Sequence, residues 1–220
     1  QGSIGQTFAD QAARTPDQPA LVCGERRWTY AELNAWANRC AHTLQAAGVK
    51  SGDAVGVLLD NRAEVIAWVL GIVKLGAVAT MVNNQQRGEV LAHSIRLTHP
   101  VLMLVGEACT EALDSLPPAE RAALCDRWWW EGDAPPPPEL TWASERLAVA
   151  PSHNPPETAA LFLHQPAFHV FTSGTTGLPK ASVMTHLRWL RSGYGMGQAA
   201  MRLRADDVFY CPLPFHHNNA

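Results

Sequence analysis

A run of six consecutive apolar residues most restricts how this chain can fold. The run Ala54–Leu59, Ala-Val-Gly-Val-Leu-Leu, has no polar position that could face water. Such a strand is typical of a parallel sheet that is covered by helices on both faces. Helical patterns over Glu64–Leu75 and Gly88–Leu97 then alternate with extended patterns over Ala77–Val82 and Val101–Val105. We therefore predict the α/β fold class: a doubly wound, largely parallel sheet with helices on both faces.

Capping signals predict two more helices ahead of this run. Ser3 is followed by Gln6, and Thr29 by Glu32, which is the spacing of a capping box. The first helix is predicted to extend to about Arg14. The second has an apolar stripe at helical spacing, made of Leu33, Trp36, Ala37, Cys40, Ala41 and Leu44.

Composition and charge exclude some classes of function. The 220 residues hold 17 basic and 20 acidic side chains, for a net charge of −3. A nucleic-acid-binding protein would need a basic surface, so no nucleic-acid partner is predicted. The hydrophobic share of 47% is typical of a soluble globular protein. Five widely spaced cysteines without a C-x-x-C pair, and no visible secretory signal, indicate reduced thiols and a cytoplasmic protein.

The stretch from Leu116 to Glu157 interrupts the alternation of strands and helices. Prolines crowd it, including the run Pro135–Pro138, and we predict an extended connection. It also contains three consecutive tryptophans, Trp128–Trp130. Their indoles are expected to pack locally over the edge of the sheet, and a surface that contacts a partner or an acyl chain is the alternative.

A loop rich in glycine and hydroxyl groups carries the chemistry. It occupies Thr172–Lys180, Thr-Ser-Gly-Thr-Thr-Gly-Leu-Pro-Lys, between strands predicted at Ala167–Phe171 and Ala181–Met184. Glycine lets backbone N–H groups approach oxygens, hydroxyl groups donate hydrogen bonds and lysine adds a charge, so the loop can hold a polyanion such as phosphate. The spacing differs from a Walker A loop, which also opens a helix. A helix capped by Thr185 is predicted to follow, to about Leu203.

This loop is similar to the signature phosphate loop of the adenylate-forming superfamily, which includes acyl-CoA synthetases, luciferases and the adenylation domains of peptide synthetases. Three other motifs resemble the family in the same order along the chain: Trp28–Leu33, Lys74–Ala77 and Cys211–His217. The segments Asn83–Gly88 and Leu91–Ser94 resemble the branch of very-long-chain acyl-CoA synthetases and fatty-acid transport proteins.

The resemblance implies a reaction in which a fatty acid attacks ATP to give an acyl-adenylate, and CoA then displaces AMP; Mg²⁺ would accompany ATP. It implies that the residues that bind the phosphates are Thr172, Ser173, Gly174, Thr175, Thr176, Gly177 and Lys180. Lys180 and His217 are the expected catalytic residues, and His217 and Asn218 are expected to bind the carboxylate substrate. The family's magnesium-binding glutamate would lie beyond Ala220, so no metal ligand is expected here.

The other histidines are expected to be surface or packing residues. His164, His169 and His186 flank the loop without a ligand-like pattern. His216 and His217 are adjacent, and in an extended chain their side chains would point to opposite faces. We therefore predict no structural metal.

The order of the motifs predicts that residues 1–220 are the N-terminal portion of an AMP-binding domain, without its C-terminal lid domain. The portion is divided into an α/β unit (1–115), the Pro-rich connection (116–157) and a phosphate-loop region (158–220). It is predicted to belong to an ATP-dependent long- or very-long-chain fatty-acid CoA ligase and to be inactive alone.

Three questions stay open at this point. The enzyme could instead activate aryl or amino acids, within the same superfamily. A non-catalytic component that binds or transports fatty acids is the alternative from another class. Peripheral association with the cytosolic face of a membrane is also compatible with the sequence.

Overall fold

A mostly parallel, seven-stranded sheet forms the centre of the protein in a computed structural model, which describes residues 2–172 and 177–217. The strands are β1 (Pro19–Cys23), β2 (Arg26–Thr29), β3 (Ala54–Leu58), β4 (Val78–Met81), β5 (Leu102–Gly106), β6 (Trp128–Glu131), β7 (Thr141–Trp142), β8 (Pro166–Thr172) and β9 (Lys180–Thr185). The helices are α1 (Ile4–Arg14), α2 (Tyr30–Ala46), α3 (Ala63–Lys74), α4 (Gly88–Thr98), α5 (Thr110–Asp114), α6 (Pro118–Leu124), α7 (Ala143–Ala148), α8 (Glu157–Ala160) and α9 (His186–Tyr194).

The order of strands in the large sheet is β7-β6-β5-β3-β4-β8-β9, and β1 and β2 form a separate hairpin. All neighbouring strands of the large sheet are parallel except β8 and β9. Because β4 and β5 lie on opposite sides of β3, the chain reverses its direction across the sheet after β4. Open α/β sheets bind ligands at the carboxyl ends of strands, beside such a reversal. The predicted fold class is confirmed.

Helices cover both faces of this sheet. Val55 and Val57 of β3 join a core cluster with α2 and α3, whereas Leu58 joins a second cluster with α4. The alternation of side chains along a strand places them on opposite faces. Gly71 sets how closely α3 approaches α2, because a Cβ there would lie 2.6 Å from the Cβ of Cys40.

The tryptophan run is a strand of the sheet, so the prediction of an extended connection over 116–157 is wrong. β6 pairs in parallel with β5, and β7 pairs with β6. Trp129 packs in the core cluster beside α2 and α3, whereas Trp128 and Trp130 pack in the cluster beside α4. The indoles therefore fill both faces of the sheet, which lets three consecutive large apolar residues be buried in an extended chain.

The predicted starts of the helices are more accurate than their predicted ends. The capping box of Thr29 and Glu32 at α2 is complete. At α1 only half of it forms: Ser3 accepts a hydrogen bond from the backbone of Gln6, whose side chain instead bonds Asp10. Thr185 caps α9, but this helix gives way after Tyr194 to a π-helical turn over Gly195–Ala200. No helix of the described residues is both long and apolar enough to span a membrane.

Candidate functional site

The hairpin of β8 and β9 fixes the two ends of the predicted phosphate loop side by side. Thr172, the last residue of β8, pairs with Lys180, the first residue of β9. Both residues are exposed. The prediction that the loop joins two strands is confirmed. The predicted phosphate-binding residues that lie outside the described part of the chain are Ser173, Gly174, Thr175 and Thr176.

This loop starts at the carboxyl edge of the sheet. β8 is parallel to β4, and β4 is parallel to β3. Thr172 therefore shares an edge with the residues that follow β3 and β4. Lys180 begins β9 at the same edge and adds an exposed positive charge. The hairpin thus brings the first and last residues of the predicted phosphate site to the usual ligand edge of an α/β sheet.

Gly177 is required by the backbone conformation of the loop. Its φ is +85°, and no atom lies within 4 Å of the position where a Cβ would stand. A side chain would fit the space but would strain the backbone, because L-residues avoid the left-handed region.

A histidine of α4 contacts the same loop next to its lysine. His93 Nε2 lies 3.1 Å from the carbonyl oxygen of Pro179, the residue before Lys180. His93 is partly buried on α4, whose other side chains Leu91, Ala92 and Ile95 pack in the core. Sequence reasoning gave His93 no role, although it singled out the surrounding segment as typical of one branch of the family.

The segment that ends in the predicted catalytic histidine, His217, is hydrogen-bonded to Asn61 in the loop that follows β3. The side-chain amide of Asn61 donates to the carbonyl of Leu213 and accepts from the backbone N–H of Phe215, both at 2.8 Å. Phe215 also packs against the main core cluster. This contact places the segment at the carboxyl edge of the sheet, where the phosphate loop also starts. Nothing in the sequence around Asn61 predicted this contact.

The two adjacent histidines share one turn, so the prediction that they point to opposite faces is wrong. Their ring centroids are 4.4 Å apart, and the backbone N–H of His217 donates to the carbonyl of Pro214. This turn replaces the extended chain that the prediction assumed. His216 is buried and its pKa falls to about 4, mainly because burial disfavours the charged ring and also because His217 is close. His217 is exposed, whereas Asn218 lies outside the described residues.

Two of the other histidines have packing roles inside the fold. His186 is buried and its Nδ1 lies 3.3 Å from the backbone nitrogen of Ile4, which donates to it. Burial lowers the pKa of His186 to about 4. His169 Nδ1 lies 2.9 Å from the hydroxyl of Thr80 on the neighbouring strand, and burial lowers its pKa as well.

A carboxylate is buried at the end of β6. Glu131 accepts a hydrogen bond of 2.6 Å from the indole of Trp68. Burial raises the pKa of Glu131, and the charge of nearby Glu64 raises it further. Glu64 itself accepts a hydrogen bond of 2.8 Å from Arg62. Burial raises the pKa of Glu64, but the hydrogen bonds from Arg62 and from the backbone, together with the positive charges of Arg62 and Arg26, outweigh burial, and the net shift is downward.

The motif Lys74–Ala77 lies away from this edge and has a structural role. Lys74 ends α3, which returns the chain to the amino end of β4, and its side chain is buried. Its ammonium donates to the side-chain oxygens of Asn34 and Asn154 at 2.7 and 2.8 Å. Burial lowers the pKa of Lys74 to about 7. The motif therefore joins α2 and α3 to the segment that precedes α8.

No three His, Cys, Asp or Glu side chains come together as a metal site within residues 2–172 and 177–217. The described residues fit the phosphates of a nucleotide, since they offer an exposed lysine at the end of a glycine-containing loop.

The model of one protein family, described as AMP-binding enzyme, matches residues 8–220. The medium/long-chain-fatty-acid CoA ligase FadD6 of Mycobacterium tuberculosis is 44% identical over 220 residues, which cover 99% of this chain and 35% of that protein. Long-chain fatty acid transport protein 1 of Rattus norvegicus is 30% identical over 221 residues, covering 98% of this chain and 34% of that protein. The chain thus spans about a third of the length of these curated relatives.

Solved structures agree with the fold. The inhibitor-bound N-terminal domain of FACL13 from Mycobacterium tuberculosis superposes with a TM-score of 0.81 at 30% identity, covering 99% of this chain and 52% of that one. The anthranilate CoA ligase AuaEII in complex with anthranoyl-AMP superposes with a TM-score of 0.84 at 21% identity, covering 92% of this chain and 38% of that one. At that identity the second likeness shows the fold alone.

Proposed function

The chain belongs to the AMP-binding enzyme family, and from this premise we propose that it is the N-terminal portion of an ATP-dependent fatty-acid CoA ligase. In the reaction, a fatty-acid carboxylate attacks the α-phosphate of ATP, which gives an acyl-adenylate and pyrophosphate. The thiol of CoA then attacks the acyl carbon and releases AMP. The observation that carries the proposal is the exposed Lys180, held beside Thr172 at the carboxyl edge of the sheet.

In this proposal, Lys180 and Thr172 bind the phosphates of ATP together with the loop between them. The first step builds negative charge on the departing pyrophosphate. Donors that are already in position at those oxygens lower the barrier, because they need no reorganisation when the charge develops. Gly177 allows the backbone to approach the phosphates closely.

We assign His217, with Asn218, to the site of the fatty-acid carboxylate. His217 is exposed, and Asn61 holds the segment before it at the same edge as the phosphate loop. A carboxylate bound there would lie on the side of the sheet from which it could approach a bound nucleotide. Magnesium would accompany ATP, and none of the described residues is assigned to bind magnesium or CoA.

The fatty-acid substrate is proposed from the relatives. A fatty-acid CoA ligase and fatty acid transport proteins match almost the whole chain. Because several relatives are named transport proteins, the second candidate function is fatty-acid transport without catalysis. A cytoplasmic location, with or without peripheral contact with a membrane, is part of the proposal.

The test is pyrophosphate release by the full-length protein with a panel of acids. Octanoate and longer fatty acids should support ATP-dependent pyrophosphate release and acyl-CoA formation. Activity with aryl or amino acids alone would contradict the fatty-acid assignment. Uptake of fatty acid without pyrophosphate release from any acid would favour the transport candidate.

A lysine variant tests the site. Lys180→Ala should lower ATP–pyrophosphate exchange by about ten- to a hundredfold, because a hydrogen bond to a charged group contributes roughly 1.5–3 kcal/mol. The matched control is Lys50→Ala, which removes an exposed lysine at the opposite edge of the sheet. Exchange that is unchanged in Lys180→Ala would overturn the role of Lys180.

A further inference from the structure

The contact between His93 and Pro179 links two parts of the chain that are 86 positions apart. A carbonyl oxygen can only accept a hydrogen bond, so the ring of His93 must present a proton on Nε2. The neutral Nε2–H tautomer and the imidazolium ion both satisfy this requirement. The contact therefore does not depend on which of these two forms is present.

Within the part of the chain that the structure describes, the base of the phosphate loop has few other attachments. β9 is the last strand in the order of the sheet, and its partner strand is β8. Pro179 has no N–H, so its carbonyl is its only backbone group that can form a hydrogen bond. Among the described residues, His93 provides the one side-chain hydrogen bond that reaches residues 177–180 from outside the hairpin.

We propose that His93 is a positioning residue for Lys180. By holding the carbonyl of Pro179, His93 fixes the backbone from which the Lys180 side chain starts. His93 acts through Pro179 and does not need to touch ATP. The inference rests on the proposed function, in which Lys180 binds the phosphates of ATP.

The structure also indicates that His93 can be changed without loss of the fold. The core face of α4 consists of Leu91, Ala92 and Ile95, and all three are fully buried. His93 is only partly buried. Replacing its ring therefore removes the contact with Pro179 while the packing of α4 is kept.

The main experiment compares two variants of the full-length protein in ATP–pyrophosphate exchange. His93→Ala should lower kcat/KM for ATP by about tenfold, since it removes one hydrogen bond that orders the lysine, and leave the KM for the fatty acid unchanged. His93→Gln should restore most of the loss, because its amide nitrogen lies near the position of Nε2 and can donate to the same carbonyl. Unchanged ATP kinetics in His93→Ala, or no rescue by His93→Gln, would overturn the proposal.

A matched control separates positioning from stability. His42 on α2 makes the same kind of contact, with its Nε2 3.0 Å from the carbonyl oxygen of His153. His42→Ala removes a histidine–carbonyl hydrogen bond far from the loop. It should leave kcat/KM for ATP unchanged. An equal loss in His42→Ala would mean that the effect of His93→Ala is a general loss of stability.

Hydrogen exchange without substrate tests the contact independently of the reaction. In His93→Ala the amides of Leu178, Lys180 and Ala181 should exchange several-fold faster than in the wild type, and in His93→Gln and His42→Ala they should not. Unchanged exchange in His93→Ala would overturn the inference even if the enzyme is active. If the wild-type protein activates no acid, the proposed function fails, and the exchange data still decide whether His93 holds Pro179.

Discussion

Asn61 accepts a hydrogen bond from the backbone N–H of Phe215, 154 positions further along the chain. The other end of the same amide donates to the carbonyl of Leu213. One side chain thus bonds the backbone on both sides of Pro214, as a neighbouring strand would. Through this contact, the loop that follows β3 sets the position of the segment that leads to His217.

Asn61→Ala should release that segment. The two lost hydrogen bonds are exposed, so the free energy of unfolding should fall by only about 1 kcal/mol. The amide of Phe215 should exchange with solvent much faster, because it loses its acceptor. Hydrogen exchange followed by mass spectrometry of peptides from 208–217 measures this.

Asn61→Asp tests the direction of each bond. The carboxylate can still accept from Phe215, but it places a second acceptor opposite the carbonyl of Leu213. We expect exchange at Phe215 to stay slower than in Asn61→Ala, while the variant is less stable than the wild type. Identical exchange in all three proteins would show that the contact does not hold the segment.

Lys74 should make the stability of the protein depend on pH in the alkaline range. Burial lowers its pKa to about 7 in the folded protein, against an ordinary value of about 10.4. Between these values the unfolded chain binds more protons, so stability increases as pH rises. Relative to Lys74→Met, the free energy of unfolding of the wild type should increase by about 2 kcal/mol from pH 7 to pH 9.

Denaturant titrations at several pH values measure this dependence. Lys50 is exposed and provides the control: Lys50→Met should change stability equally at every pH. A wild-type protein that parallels Lys74→Met across this range would contradict the prediction. That result would mean that the amides of Asn34 and Asn154 offset the effect of burial by stabilising the ammonium ion.

Glu131 should make stability depend on pH in the direction opposite to that of Lys74. Burial raises its pKa in the folded protein, so between the ordinary and the raised value the folded state binds more protons, and stability falls as pH rises. Glu131→Gln keeps an oxygen that can accept from Trp68 and removes the charge. The variant should be more stable than the wild type at pH 7, and the difference should shrink as the pH falls toward 4.

Thermal unfolding at several pH values tests the prediction for Glu131. Glu25→Gln changes an exposed carboxylate in the turn between β1 and β2 and should shift stability little at any pH. A Glu131→Gln protein that is less stable than the wild type at neutral pH would show that the carboxylate is stabilised by its neighbours despite its burial.

Local signals in the sequence predicted most of the fold. Thr29 with Glu32, and the apolar run that became β3, act through neighbours within a few positions, so their patterns are visible in the sequence. Trp128–Trp130 was not recognised as a strand, because a short apolar run within a proline-rich stretch shows no period. What decides its structure is the partner strand β5, which lies more than twenty positions earlier in the chain.

The same difference between local and distant contacts explains why only part of the candidate site was predicted. Thr172, Gly177 and Lys180 belong to one loop, and the spacing within a loop can be recognised without the structure. The contacts of His93 with Pro179 and of Asn61 with Phe215 join residues far apart in the sequence. Such pairs follow from the order of strands, which brings the carboxyl ends of distant segments to one edge.

Gly177→Ala separates backbone strain from steric fit in the loop. Nothing lies near the position of the added Cβ, and the φ of +85° is one that alanine adopts poorly. The loop should therefore relax to another conformation at a cost of about 1 kcal/mol, and ATP should bind more weakly to the full-length protein. Gly24 is the matched control, since its φ of +60° is also positive and its surroundings are also open.

Gly24→Ala should lower the melting temperature by a similar amount and leave the KM for ATP unchanged, because the hairpin of β1 and β2 is separate from the large sheet. Gly177→Asn should lie between alanine and the wild type, since asparagine enters the left-handed region more readily than other residues with a side chain. If Gly177→Ala raises the KM for ATP no more than Gly24→Ala does, the backbone at Gly177 has no part in binding phosphate. The glycine would then serve only the turn between β8 and β9.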